Sequence, residues 1–195
     1  LEAEGYKVAI VPQPNWRDDL RDFKKLGKPR LFFAVTAGAM DSMVNHYTAN
    51  LRLRSNDAYT PGGKAGFRPD RTVDTYTKIL KKLYPHTPVV VGGIEASLRR
   101  LTHYDYWSNK LQQSILLTSG ADLLVYGMGD KVIREVAKAM RNGFNMKLLR
   151  GLRQVGFVAD REYVERLFAG KTIVLNSFEE CQEDKHKFGE NFCHI

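Results

Sequence analysis

Val89-Val90-Val91-Gly92-Gly93 sets three β-branched residues in a row and ends them with two glycines. Successive side chains of a strand point to opposite faces, so a run with no polar alternation is apolar on both sides, the pattern of a parallel sheet covered on two faces. Reading upstream, Leu31-Phe-Phe-Ala-Val35 has the same character and is followed by Thr36 and Gly38; reading downstream, Ala121 to Tyr126 runs into Gly127. Tyr6 to Val11, closed by Pro12, reads as a further strand.

Helical patterns fill the gaps. Asn15 is placed to cap a helix from Trp16 to Leu26, with Asp18 and Asp19 in its first turn and Gly27 as its stop. Asp70 precedes a stripe of Val73, Tyr76, Ile79, Leu80 and Leu83, ended by Pro85 and Pro88; Asp130 precedes one of Val132, Ile133, Val136, Ala137 and Met140, closed by Gly143. Shorter helices are expected at Glu95–Leu101 and Leu111–Leu117, with His103–Trp107 as a turn between them. Strand and helix alternate with short connections, so the economical architecture is an α/β array of right-handed βαβ units, an open, mostly parallel sheet with helices on both faces. Residues 1–150 carry that array and 151–195 form an extension. In the extension Gln154–Ala159 and Thr172–Leu175 read as strands, and Ser177 with Glu180 forms a capping box opening a last helix with a Phe178, Cys181, Lys185, Phe188 and Phe192 stripe. Leu1 to Gly5 reads as a final helical turn, which implies residues before it.

Composition narrows the class. The 195 residues are 43% hydrophobic, enough for one substantial core, and no segment approaches the roughly 18 apolar residues of a membrane helix. No secretory leader pattern opens the chain, and Cys181 and Cys193 lie too close together to staple it, so a cytoplasmic protein with reduced thiols is expected. A net charge of +8 favours phosphates or nucleic acid as partners and gives no reason to expect a membrane.

Ligands of open parallel sheets sit beyond the C-terminal strand ends, where helix N-termini gather free amides. Three such ends are legible: Thr36 with Gly38; Gly92, Gly93, Glu95 and Ser97; and Gly127 with Asp130. Each is equally a tight turn needing a permissive residue, but three together favour a ligand crevice. The loop from Thr36 to Pro69 adds Asp41, Asn45 and His46 on a helical turn at Met40–Tyr47, then Arg52, Arg54, Lys64 and Arg68 as candidate phosphate or RNA contacts, the alternative being a solvated surface. Arg99 and Arg100 followed by Tyr104, Tyr106 and Trp107 put cations beside rings that either stack on bases or cover the core edge. Cys181, His186, Cys193 and His194 lack the paired short spacings of a structural zinc site, so no metal is expected.

Several runs carry a resemblance. Val11-Pro-Gln-Pro-Asn-Trp16, Leu31-Phe-Phe-Ala-Val-Thr-Ala-Gly38, Met40-Asp-Ser-Met-Val-Asn-His-Tyr-Thr-Ala49, Asp57-Ala-Tyr-Thr-Pro-Gly-Gly63, Val91-Gly-Gly-Ile-Glu-Ala-Ser-Leu-Arg-Arg100 and His103-Tyr-Asp-Tyr-Trp107 resemble the N-terminal domain of the YgiQ family of radical SAM proteins. The resemblance implies a Rossmann-like domain, similar to the cobalamin-binding modules of other radical SAM enzymes, with a first strand ahead of Leu1 and a catalytic barrel as its partner. It further implies a barrel whose C-x3-C-x2-C motif holds a [4Fe-4S] cluster that cleaves S-adenosylmethionine. Two cysteines do not make that motif, so the cluster and S-adenosylmethionine are expected in a longer parent rather than here. The D-x-H-x-x-G signature for a cobalt-ligating histidine is missing; cobalamin bound without a protein ligand stays open. The functional expectation is an accessory domain that helps bind substrate or cofactor, against the alternative of an RNA- or nucleotide-binding module.

Overall fold

The structure, a computed structural model, describes residues 1–168, 170 and 172–195. In chain order its helices and strands are α1 (Arg21–Lys24), β1 (Phe33–Val35), α2 (Ser42–His46), α3 (Thr72–Leu83), β2 (Val89–Val91), α4 (Gly93–Leu98), β3 (His103–Asp105), β4 (Lys110–Gln112), α5 (Ile115–Ser119), β5 (Leu123–Val125), α6 (Asp130–Arg141), β6 (Val155–Gly156), α7 (Arg161–Phe168), α8 (Phe178–Glu183) and α9 (Lys185–Phe192). Four strands form one sheet in the order β1-β2-β5-β6, and β3 pairs with β4 in a separate hairpin. β1, β2 and β5 are parallel, with Phe33 opposite Val89 and Val90 opposite Leu123; β6 joins β5 antiparallel at the edge. The sheet is therefore mixed and mostly parallel.

Alternation along β2 and β5 divides the core into two layers. Val89, Val91 and Leu124 face Val73, Tyr76 and Leu80 of α3 and Ile115 and Leu116 of α5. Val90, Leu123 and Val125 face Val132 and Val136 of α6, with Leu149 from a 3-10 turn. Val89, Val91, Leu123 and Leu124 are wholly buried, each contributing about 1.5–3 kcal/mol of transfer free energy. That two-sided burial is why the valine run carries no polar residue.

Several expectations are corrected. Tyr6–Val11 is not a strand: Ile10 is 81% exposed, and β propensity cannot make a ladder without a neighbour to hydrogen-bond. Instead Tyr6 lies under the Arg141 guanidinium, while Gln13 and Trp16 donate to the carbonyls of Tyr59 and Phe67. The Trp16–Leu26 helix shrinks to α1, because Asn15, Asp18 and Asp19 bind the amides of Arg17, Leu20 and Arg21 in local turns that compete with the helix. His103–Trp107 supplies β3, and Leu111–Leu117 divides between β4 and α5; Asn109, at φ 53°, takes the left-handed turn residue that lets the hairpin close. Glu95–Leu101 begins earlier and ends sooner, as α4. Asp130 makes no cap bond, being the first helical residue after Gly129. Thr172–Leu175 has no ladder, with Val174 88% exposed. The last helix breaks in two where Asp184 turns extended and accepts from the His186 amide to cap α9. The capping box at Ser177 and Glu180 forms as read, as do the helical turn within Met40–Tyr47, now α2, and the edge strand within Gln154–Ala159.

Candidate functional site

The C-terminal ends of β1, β2 and β5 meet. The Gly92 amide donates to the Val35 carbonyl at 3.0 Å, and the Gly127 amide donates to Ser97 Oγ at 3.2 Å, so all three ends are tied to one another. Gly93 sits at φ 78°, and a methyl group there would run into the Thr36 side chain. Two penalties coincide, a left-handed backbone and a close contact, so Gly93→Ala is expected to lose about 2 kcal/mol or more of stability, read as a lower midpoint in urea unfolding. Thr36, Gly38, Gly93, Gly127 and Asp130 are exposed on this rim, with Gly92 and Ser97 half-buried beside them.

The acidic and polar residues expected beside the rim are buried and serve other residues. Glu95 is completely buried; its Oε1 accepts from the Val73 amide at 2.8 Å and its Oε2 from the Ser42 amide at 3.2 Å. One carboxylate thus satisfies free N–H groups at the starts of both α3 and α2, where partial positive charge collects. Burial raises its pKa, an effect the Ser42 and Val73 bonds and Arg99 partly offset. Asp41 caps α2 through the Met43 and Val44 amides, and its second oxygen holds the half-buried Arg99 guanidinium. Asp70, read as the cap of α3, instead binds His46 and Tyr47, and Glu95 takes its place from 22 residues downstream of Val73.

The long loop is organised around a second polar centre. Asp57 is 1% exposed and receives Arg68 in a two-pronged pair, Nε to Oδ2 at 2.9 Å and Nη2 to Oδ1 at 3.2 Å. Burial pushes the Asp57 pKa up, but the Tyr59 amide, Arg68 and Asn45 outweigh it and bring it to about 2. Arg68 also reaches the Ala37 carbonyl at 3.4 Å, which docks the loop on the end of β1. His46 lies buried between Asp70 and Asp57 and lines a pocket of about 190 Å³ with Arg17, Tyr47 and Arg68.

The remaining expected cations and rings divide by surroundings. Arg52, Arg54 and Lys64 are exposed, Arg54 donating to the Tyr47 carbonyl at 3.2 Å. Arg68 and Arg99 are enclosed by Asp57 and Asp41, and Arg100 lies over the Tyr126 ring at 5.2 Å while donating to the Ser97 carbonyl. Tyr104 and Tyr106 are half exposed; Tyr106 donates to the Ala49 carbonyl at 2.8 Å, bringing the β3–β4 hairpin beside the loop, and Trp107 packs edge-on to Tyr106. Asp57 and Asp70 were missed as site residues. Their only local signal is a carboxylate at each end of a segment holding Lys64 and Arg68, with His46, Arg52 and Arg54 just upstream, which does not say which cation each one meets.

The family described as "Radical SAM N-terminal" matches residues 1–195. This chain belongs to the radical SAM N-terminal family. It is 57% identical to a UPF0313 protein of Porphyromonas gingivalis and 56% identical to one of Bacteroides thetaiotaomicron, matching over 100% of this chain and 31% and 33% of those proteins. A UPF0313 protein of Geobacter sulfurreducens is 49% identical over 98% of this chain and 31% of its own length. The chain spans about a third of the length of the curated relatives it matches, and no solved structure matches it. The family name implies an iron–sulfur cluster and S-adenosylmethionine, and the donor set here does not fit the cluster. Cys181 is buried and Cys193 exposed, two thiols where a site-differentiated [4Fe-4S] cluster needs three, and among the described residues no group of three His, Cys, Asp or Glu side chains is placed to hold an ion. Nor is any helix among the described residues long and apolar enough to cross a membrane.

Proposed function

We infer that this chain is the accessory N-terminal domain of a radical SAM enzyme and helps to hold a substrate or cofactor against that enzyme's catalytic barrel. On this reading residues 1–150 form the Rossmann-like binding domain, residues 151–195 lead towards the barrel, and the whole works in the cytoplasm. The observation that carries it is the meeting of three parallel strand ends at one exposed rim, where Gly93 and Gly127 bring backbone close to any occupant. Family membership supports the rest. The chemistry of S-adenosylmethionine cleavage belongs to cysteines outside this chain; the part assigned to Thr36, Gly38, Gly92, Gly93, Ser97, Gly127 and Asp130 is binding and orientation.

The test is reconstitution of the full-length protein with iron and sulfide, followed by measurement of 5′-deoxyadenosine released from S-adenosylmethionine. Ser97→Trp, which plugs the rim, should change that yield about tenfold or more while leaving the iron content intact. An unchanged yield removes the rim from the reaction, and a full-length sequence without C-x3-C-x2-C removes the enzyme.

A second reading, binding of RNA, is favoured by the hydrogen bond from Tyr106 to Ala49, which sets the exposed Tyr104 and Tyr106 rings beside the loop carrying Arg52, Arg54 and Lys64. If each of those three cations neutralises one phosphate of a single strand, affinity for tRNA should fall about fourfold for every doubling of salt. A flat salt dependence in a filter-binding titration would eliminate this reading.

A further inference from the structure

The outer edge of β1 carries no neighbour among the described residues. The Phe33 amide donates to the Pro88 carbonyl at 2.9 Å and the Val35 carbonyl accepts from the Gly92 amide at 3.0 Å, so both residues turn their polar groups towards β2. Alternation along a parallel ladder then points the Ala34 N–H and C=O the other way, into an unpaired edge. Ala34 is exposed although its side chain shares a face with Val90, its partner in β2, which α6 covers. A second stretch is unpaired in the same sense. Lys7 to Ile10 is exposed throughout and joins no ladder, yet both its ends are anchored. Tyr6 lies under the guanidinium of Arg141, the last residue of α6, and Gln13 donates to the Tyr59 carbonyl in the loop that Arg68 docks on the end of β1. Because α6 starts from the C-terminal end of β5 and runs back down the sheet, the stretch climbs from bottom to top, in the direction of β1.

Handedness says how the two are related. The connections from β1 to β2 and from β2 to β5 pack α3 and α5 on the face of Val89 and Val91, and Phe23 of α1 lies in the same layer, its ring 5.4 Å from that of Tyr76. Parallel crossovers are right-handed. A crossover on that face steps in the direction from β1 to β2, so the one through α1 reaches β1 from its open side, and Tyr6–Val11 belongs beyond the β1 edge. The turn just before it, Glu2–Glu4, lies on the opposite face, where Glu4 pairs with Arg134 of α6 at 3.2 Å. A right-handed crossover on that face steps the other way, so the strand that feeds it stands between β1 and Tyr6–Val11.

We propose that the open edge of β1 takes one more parallel strand, inserted between Ala34 and Tyr6–Val11 and supplied by the parent polypeptide ahead of Leu1, together with a helix that covers Ala34. The strand is about five residues long and apolar on both sides, since the layer of α1 and α3 lies against one face and its own helix against the other. With it in place the order becomes Tyr6–Val11, the inserted strand, β1, β2, β5, β6, and the stretch holding Val8 and Ile10, 40% and 81% exposed, gains a ladder. The relatives extend well beyond this chain, which covers 31% and 33% of two of them. The assignment rests on strand geometry and holds whatever the rim binds.

Hydrogen exchange followed by mass spectrometry on the full-length protein tests it. The amides of Lys7–Val11 should exchange about a hundredfold more slowly than in an unstructured peptide, because a ladder must open first. Ala34→Pro removes only the outward N–H, a change that an open edge tolerates. With the strand inserted, it should speed exchange about tenfold or more both in Tyr6–Val11 and in one short segment ahead of Leu1, while Val89–Val91 stays protected. Should Ala34→Pro unfold the sheet, Val8→Pro and Ala9→Pro decide at the outer strand: alternate amides face the ladder, so one of the two should release the stretch and the other leave it in place. Unprotected Lys7–Val11, release of that stretch by Ala34→Pro with no second segment, no release at all, or equal effects of the two outer prolines overturns the proposal. So does protection that disappears on dilution to nanomolar protein, which would give the edge to a second copy of the chain.

Discussion

Glu95→Ala is expected to destabilise the fold by about 2–6 kcal/mol or more. The substitution removes the acceptor of two buried amides, Val73 and Ser42, and opens a cavity beside two helix starts. An orphaned buried donor costs about 1–3 kcal/mol, so two amount to about 2–6 kcal/mol before the cavity is counted. A domain of this size holds about 5–15 kcal/mol in all. Glu95→Gln keeps one acceptor oxygen and should lose about half as much, because its amide nitrogen faces a second donor. Urea unfolding followed by circular dichroism measures both. A loss under about 1 kcal/mol for the alanine variant would show that the two helices find other caps. The pH dependence has a definite sign. The folded pKa of Glu95 lies above its ordinary value of 4.5, so its charge is a cost to the folded state at neutral pH, relieved as pH falls through the folded value towards 4.5.

Asp57→Ala is expected to cost about 3–5 kcal/mol, because it strands the Arg68 guanidinium, 5% exposed, with no counter-charge. Here acid acts in the opposite direction. The carboxyl of Asp57 drops from 3.8 to about 2 on folding, so its contribution is fully present above 3.8 and is lost as pH falls through about 2. A shift of that size corresponds to about 2 kcal/mol. Asp57→Asn, which keeps the shape and gives up the charge, should flatten the acid limb of the stability curve between about pH 4 and pH 2. If the variant and the parent lose stability in parallel over that range, the Asp57–Arg68 pair does not govern the loop.

Both residues illustrate what was legible in the chain and what was not. Glu95 was read as a ligand contact because it follows a glycine-ended strand, which is where binding residues gather. Nothing around position 95 announces that Ser42 and Val73 will arrive there, 53 and 22 residues away. Arg68 and Arg99 looked like free cations for the same reason: charge is visible in a sequence, but a partner 11 or 58 positions distant is not. Tyr104 and Tyr106 stand beside those cations in the sequence, yet nothing there marks the hairpin they belong to, since its turn rests on Asn109 rather than on a glycine.

By itself the sequence determined the layers of this protein: the apolar strands at Phe33, Val89 and Leu123, the amphipathic faces of α3 and α6, the glycine-marked strand ends and the cap at Ser177. These are set by interactions within a few residues, by the 2.0 and 3.6 periods of strand and helix, and by which face must leave water. Only the tertiary structure decided that Tyr6–Val11 goes unpaired, that one buried carboxylate caps two helices, and that His46 stands between Asp57 and Asp70. Those outcomes depend on which polar group meets which once the layers have closed, and a buried hydrogen bond leaves no periodic trace along the chain.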